Sequence, residues 1–165
     1  MYYAGLDKYS TENGPGIRVS LFVSGCRHKC KGCFNKEAWN FKYGKEYTSD
    51  TMQEILNILN QNKEWYSGLS LLGGDPLEPE NRDVLLPLVQ KVREIPNMTI
   101  WVWTGKLYEK LTYGDTMFLS YCDVLVDGPF IEKLYSPNLK YRGSSNQRVI
   151  DLRRSEDEGH PITII

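Results

Sequence analysis

The chain has 165 residues, 41% hydrophobic and 25% charged, the proportions of an ordinary globular domain rather than of a disordered, fibrous or membrane-embedded chain. Twenty Lys and Arg against twenty-one Asp and Glu leave a formal net charge of -1, without the basic excess that nucleic-acid binding demands, so no nucleic-acid partner is expected. No run approaches the ~20 apolar residues of a membrane span, and Met1 to Leu6 shows no basic segment leading into an apolar one, so the expected setting is the cytoplasm with no membrane partner.

Ile17, Val19, Leu21 and Val23 alternate with Arg18, Ser20, Phe22 and Ser24, the period of a strand running straight into Gly25-Cys26. Met52, Ile55, Leu56 and Leu59 share one helical face, with Ser49, Asp50 or Thr51 as N-cap and Gln53 or Glu54 following. Leu69 to Leu72 reads as a buried strand ending at Gly73-Gly74. Val84, Leu85, Leu88 and Val92 form a second amphipathic helix, expected to kink or start late at Pro87. Met98 to Trp103 is a third strand, stopped by Thr104-Gly105. Lys106 to Leu111 and Thr116 to Tyr121 read as helical, and Val124 to Val126 as a fourth strand ending at Asp127-Gly128-Pro129. The charged segment Arg153 to Gly159 reads as a mobile tail.

Strands alternating with helices predict mostly parallel pairing with right-handed crossovers, an α/β fold. A closed eight-unit barrel needs ~250 residues, so the expected architecture is a partial, open β/α barrel or an open sheet, formed as a single domain over 1–165. A domain of roughly 150 residues buries about two thirds of its unfolded surface and needs no metal merely to fold. In either architecture sites form at the carboxyl ends of strands. The cysteines, Gly73-Gly74, Thr104-Gly105 and Asp127-Gly128 are all placed there.

Cys26, Cys30 and Cys33 crowd into eight residues while Cys122 stands alone, which fits metal ligation better than a disulfide framework. A structural zinc site wants four ligands, commonly as two separated pairs. Three thiolates on a 4Fe-4S cluster, which normally takes four, leave one iron open to another ligand. The competing reading is a zinc knuckle completed by His28, Cys122 or His160. Cys122 follows an apolar stretch and reads as a small buried hydrophobe.

With its three-cysteine motif at a strand end, the sequence resembles the radical S-adenosylmethionine superfamily. More narrowly, it is similar to the anaerobic ribonucleotide reductase activating proteins through Asn13-Gly14-Pro15-Gly16-Ile17-Arg18, Gly32-Cys33-Phe34-Asn35, Val126-Asp127-Gly128-Pro129-Phe130 and Gly143-Ser144-Ser145-Asn146-Gln147-Arg148. Gly14-Pro15-Gly16, Arg18 and the cysteines are also similar to the activase of pyruvate formate-lyase. A non-catalytic zinc-binding adaptor is the alternative of another class.

The resemblance implies that Cys26, Cys30 and Cys33 hold a 4Fe-4S cluster whose open iron takes the amino and carboxylate groups of S-adenosylmethionine. It implies that Gly73-Gly74-Asp75 binds the amino group along an exposed strand edge, where glycine removes the Cβ. Asp75 stands where the superfamily more often has Glu; a plain βα turn before Pro76 is the structural alternative. Gly32, Cys33 and Phe34 are implied to line the adenosyl group, with core packing the alternative for Phe34. The implied reaction is reductive cleavage of S-adenosylmethionine and abstraction of hydrogen from a glycine Cα of the large anaerobic ribonucleoside-triphosphate reductase. An electron donor such as reduced flavodoxin is implied. No acid-base pair is required, and Tyr2, Tyr3, Trp39, Phe41 and Tyr43 are candidate docking aromatics.

Overall fold

The alternation at Ile17–Val23 becomes strand β2, with Val19, Leu21 and Val23 fully buried on one face and Arg18 and Ser20 on the other. A computed structural model describes residues 1–165. Before β2 lies β1 (Tyr2–Ser10), and after it come β3 (Lys45–Glu46), β4 (Tyr66–Gly73), β5 (Thr99–Trp103), β6 (Val124–Asp127) and β7 (Arg148–Asp151). The helices are α1 (Ser49–Gln61), α2 (Pro79–Arg93), α3 (Tyr113–Leu119) and α4 (Leu152–Glu158).

All seven strands join one sheet in the order β3-β1-β2-β4-β5-β6-β7. The middle four are parallel, Val23 lying opposite Gly73 and Leu71 opposite Val102. The outer strands β1, β3 and β7 pair antiparallel. The result is the open partial barrel expected from the chain length, with antiparallel edges in addition.

One face of the sheet carries the main core. Leu21, Leu69, Leu71, Ile100 and Leu125 pack against Ile55 and Leu59 of α1, Leu85, Leu88 and Val92 of α2 and Phe118 of α3. The opposite face holds a smaller cluster of Trp101, Val124, Val126 and Val149, with Trp103 and Tyr141 beside it. Beneath that face Arg18 is fully buried. Its guanidinium donates to Ser70 Oγ (2.8 Å), Thr99 Oγ1 (2.9 Å) and the carbonyls of Pro15, Leu69 and Thr99. All of these acceptors are neutral.

Several local expectations change. The N-cap of α1 is Thr48, one residue before the expected caps, because the Thr48 backbone N–H donates to Thr51 Oγ1 at 3.1 Å, a threonine doing what Gln or Glu does in a capping box. Helix α2 starts at Pro79 and continues through Pro87. Pro87 lies on the exposed face, where water can serve the carbonyl one turn back. The segment 106–111 forms only a 3-10 turn at Tyr108–Lys110, and α3 begins at Tyr113 because Thr112 and Asp115 make a capping box. The charged tail is helix α4. Asp151 caps it, Gly159 at φ 75° ends it, and buried Ser155 donates to Asp151 O and accepts from Ile162 N–H.

Candidate functional site

Because β2, β4, β5 and β6 run parallel, the loops leaving their carboxyl ends gather on one side. They enclose a cavity of about 240 Å³ lined by all three clustered cysteines, together with Phe34, Gly73, Gly74, Asp75 and Thr104. A wider groove of about 790 Å³ lies at the opposite ends of β2 and β4, around Ile17 and Tyr66. It holds no cysteine or histidine, so donor chemistry rather than volume singles out the smaller cavity.

The cysteine loop is tied to its surroundings through the backbone. Gly25 N–H donates to Ala38 O (2.7 Å), Cys26 N–H to Trp39 O (3.3 Å), Gly74 N–H to Val23 O (2.7 Å) and Asp75 N–H to Gly25 O (2.8 Å). The buried amide of Asn81, in the first turn of α2, donates to the carbonyls of Ser24 and Asp75, both at 3.0 Å, and so clamps the ends of β2 and β4 together. Arg27 bridges Glu78 and Glu80 and lies over the Phe41 ring, while Glu78 also accepts from the Arg27 N–H.

Cys26, Cys30 and Cys33 are free and half-buried. Burial pushes the Cys26 thiol up to about 11 in the metal-free chain. Three free, soft donors opening onto one cavity, with the backbone of Gly73-Gly74 as its wall, fit an iron-sulfur cluster with room for a further ligand. Cys122 is buried in the core, its Sγ donating to Phe118 O, and neither it nor exposed His160 reaches the cavity. Two of the three fourth ligands of the zinc reading are thereby removed. His28 does reach it, with Nε2 2.7 Å from Asp75 Oδ2, and that hydrogen bond raises the imidazole's pKa.

The other sequence-predicted residues divide. Cys33 and Phe34 line the cavity; Gly32 does not. Gly32 has φ 76°, and a Cβ there would meet the Glu132 carboxylate, so its close approach is to Glu132. Phe34 is 73% exposed and meets Phe130 and Tyr135 at centroid distances of 5.2 and 5.3 Å, which rules out core packing. Gly73 and Gly74 admit neighbouring backbone: a Cβ on Gly74 would lie 2.6 Å from Gly25 O. The Asp75 side chain is turned inward, 1% exposed, onto His28, Thr104, Gly105 and Leu77. Trp39, Phe41 and Tyr43 are half-buried and brace the cysteine loop.

The two late segments meet at the same cavity. Gln147 Nε2 donates to Gly128 O (3.0 Å), its Oε1 accepts from Gly143 and Ser144 N–H, and Asn146 Nδ2 donates to Pro129 O. All four segments on which the resemblance rests are thus parts of one sheet and the loops at its ends.

Comparison with known proteins agrees. A family described as a 4Fe-4S single cluster domain matches residues 12–150. The anaerobic ribonucleoside-triphosphate reductase-activating protein of Haemophilus influenzae is 47% identical over 145 residues, 86% of this chain and 94% of its own. This chain belongs to that family of activating proteins. The family member of Escherichia coli K12 is 46% identical over 142 residues, covering 86% of this chain and 92% of its own, and that of enterobacteria phage T4 is 44% identical over 138 residues, covering 83% and 85%. The match to the cluster family carries a 4Fe-4S cluster to this member and supersedes the zinc adaptor. Asn81, Glu78 and Arg27 are the site-building residues that the activating-protein motifs left unread. A polar residue at an otherwise buried position of α2 was the available signal for Asn81.

Proposed function

We propose that this chain activates an anaerobic ribonucleoside-triphosphate reductase by generating a glycyl radical in it, with Cys26, Cys30 and Cys33 holding a 4Fe-4S cluster and S-adenosylmethionine occupying the remaining iron. The observation that carries the reading is the convergence of three free thiols and the Gly73-Gly74 backbone on one cavity at the ends of four parallel strands. The relatives' shared name as reductase-activating proteins supports the choice of partner. When bound, the cluster and S-adenosylmethionine supply the electron and the radical chemistry that no side chain here supplies.

The protein's own part is ligation, orientation and exclusion. The Gly74 N–H is spent on Val23 O, so the turn offers carbonyl oxygen, the acceptor an ammonium group wants. Phe34, exposed at the mouth between Phe130 and Tyr135, presents a ring face to an adenine. Cys33, beside Phe34 in the lining, completes that side of the loop. The open face of the sheet admits a peptide segment of the reductase to the cavity. An electron donor such as reduced flavodoxin completes the cycle, and free clustered thiols suit the reducing cytoplasm. No helix is long and apolar enough to cross a membrane.

The test is to mix the reconstituted protein, S-adenosylmethionine and a reductant with the cognate reductase under anaerobic conditions. A glycyl doublet by electron paramagnetic resonance is expected, and deuterium on the target glycine is expected to appear in 5'-deoxyadenosine. Cleavage of S-adenosylmethionine with a radical-free reductase would reject the partner. Stoichiometric zinc in place of iron would reject the chemistry.

A further inference from the structure

Asp75 is the most heavily used carboxylate in the site. Its Oδ2 accepts from His28 Nε2 (2.7 Å), Thr104 Oγ1 (2.9 Å) and Gly105 N–H (3.0 Å), and its Oδ1 accepts from Leu77 N–H (2.8 Å). A carboxylate only accepts, so the histidine proton at this contact sits on Nε2. His28 belongs to the cysteine loop, Asp75 to the turn after β4, and Thr104-Gly105 to the end of β5. Gly105 is part of the fit, because a Cβ there would lie 2.6 Å from His28 Cδ2. Four donors leave this 1% exposed side chain little capacity for a ligand.

We infer that Asp75 is a positioning residue: its buried carboxylate ties His28 in the cysteine loop to Thr104 and Gly105 and so fixes the loop in the arrangement that receives the cluster, rather than binding S-adenosylmethionine through its side chain. The inference rests on the reading that Cys26, Cys30 and Cys33 hold the cluster.

The experiment compares wild type, Asp75→Asn, His28→Ala and His28→Gln. In cluster-free protein, amide hydrogen exchange over residues 26–33 is expected to quicken about tenfold in Asp75→Asn and His28→Ala, since a hydrogen bond to a charged acceptor is worth about that factor in an opening equilibrium. Exchange in α2 stays at the wild-type rate. His28→Gln, whose amide can still donate to Asp75, is expected to return most of the protection. In reconstituted protein, chelator-driven iron loss quickens in the same two variants, while affinity for S-adenosylmethionine per cluster is unchanged. Unchanged exchange over 26–33 in Asp75→Asn and His28→Ala would overturn the inference. So would loss of S-adenosylmethionine affinity per cluster with iron retention intact, which makes Asp75 a cofactor ligand. Should Asp75→Asn fail to fold, the His28 pair decides. Wild type that takes up no iron refutes the cluster reading, while the exchange comparison still decides the brace.

Discussion

Arg148 donates to Asp127 through both Nε and Nη2, and the two residues face each other as register partners across β6 and β7. Asp127 is fully buried and also accepts from the Tyr108 N–H, while Arg148 reaches on to Glu109. The pair fastens the antiparallel edge strand to the parallel sheet immediately beside Gly128 and Gln147. Arg148→Met leaves the Asp127 carboxylate buried without its cation, and about 3 kcal/mol of stability is expected to go, as for other broken buried pairs. Urea unfolding measures the loss, and adding Asp127→Asn should restore part of it.

Cys26→Ala, Cys30→Ala and Cys33→Ala are each expected to lose the 4Fe-4S absorbance after anaerobic reconstitution and all cleavage of S-adenosylmethionine. Cys122→Ala should keep both and lose about 1 kcal/mol of stability, the scale of a small core deletion. Iron and sulfide analysis with a 5'-deoxyadenosine assay checks the four together.

Burial raises Cys26 from 9.0 to about 11 in the cluster-free protein. Between those values the unfolded chain has released a proton that the folded chain keeps, so stability is expected to fall as pH rises through that window and to be unaffected by this group below it. Cys122 is raised by burial in the same sense, so the difference between wild type and Cys26→Ala isolates Cys26. Wild type should lose stability more steeply from pH 9 to 11 in denaturant titrations.

Gly74→Val directs its side chain at Gly25 O and at Ala38 O, 2.6 and 3.0 Å from a Cβ. Both atoms are backbone, so the cysteine loop must move. Iron uptake is therefore expected to fall along with S-adenosylmethionine affinity. Gly128→Ala is the contrast: at φ 100° it is strained, but its Cβ meets nothing closer than 3.7 Å, so it should cost about 1 kcal/mol and leave iron uptake intact.

The parallel centre of the fold was legible because each buried strand runs apolar into a glycine, and the cysteine spacing marked the metal end. The edges were not. In Tyr2–Ser10, Gly5 and Asp7 interrupt the alternation, and the strand is half exposed; Arg148–Asp151 is four residues long. Helix α4 hid behind its charges, although Asp151 before it and Gly159 after it are ordinary cap signals. Within the site the donors were readable and the braces were not. Asn81 left only its polar place on the apolar face of α2, while Glu78 and the inward turn of Asp75 depend on contacts more than forty residues apart, to Arg27 and His28, for which local pattern has no signature.

Arg18 gives the molecule a floor without a wall. Burial lowers its pKa to about 10, so it stays cationic at neutral pH, held by neutral oxygens with Trp101 5.7 Å away. The amino ends of the central strands are thereby plugged by a side chain that cannot leave without stranding five hydrogen bonds. With that end closed, the cavity opens at the carboxyl ends of the strands. On the proposed function, the reductase and the nucleotide-like cofactor share that one mouth, and the order in which they arrive becomes a property of the shape itself.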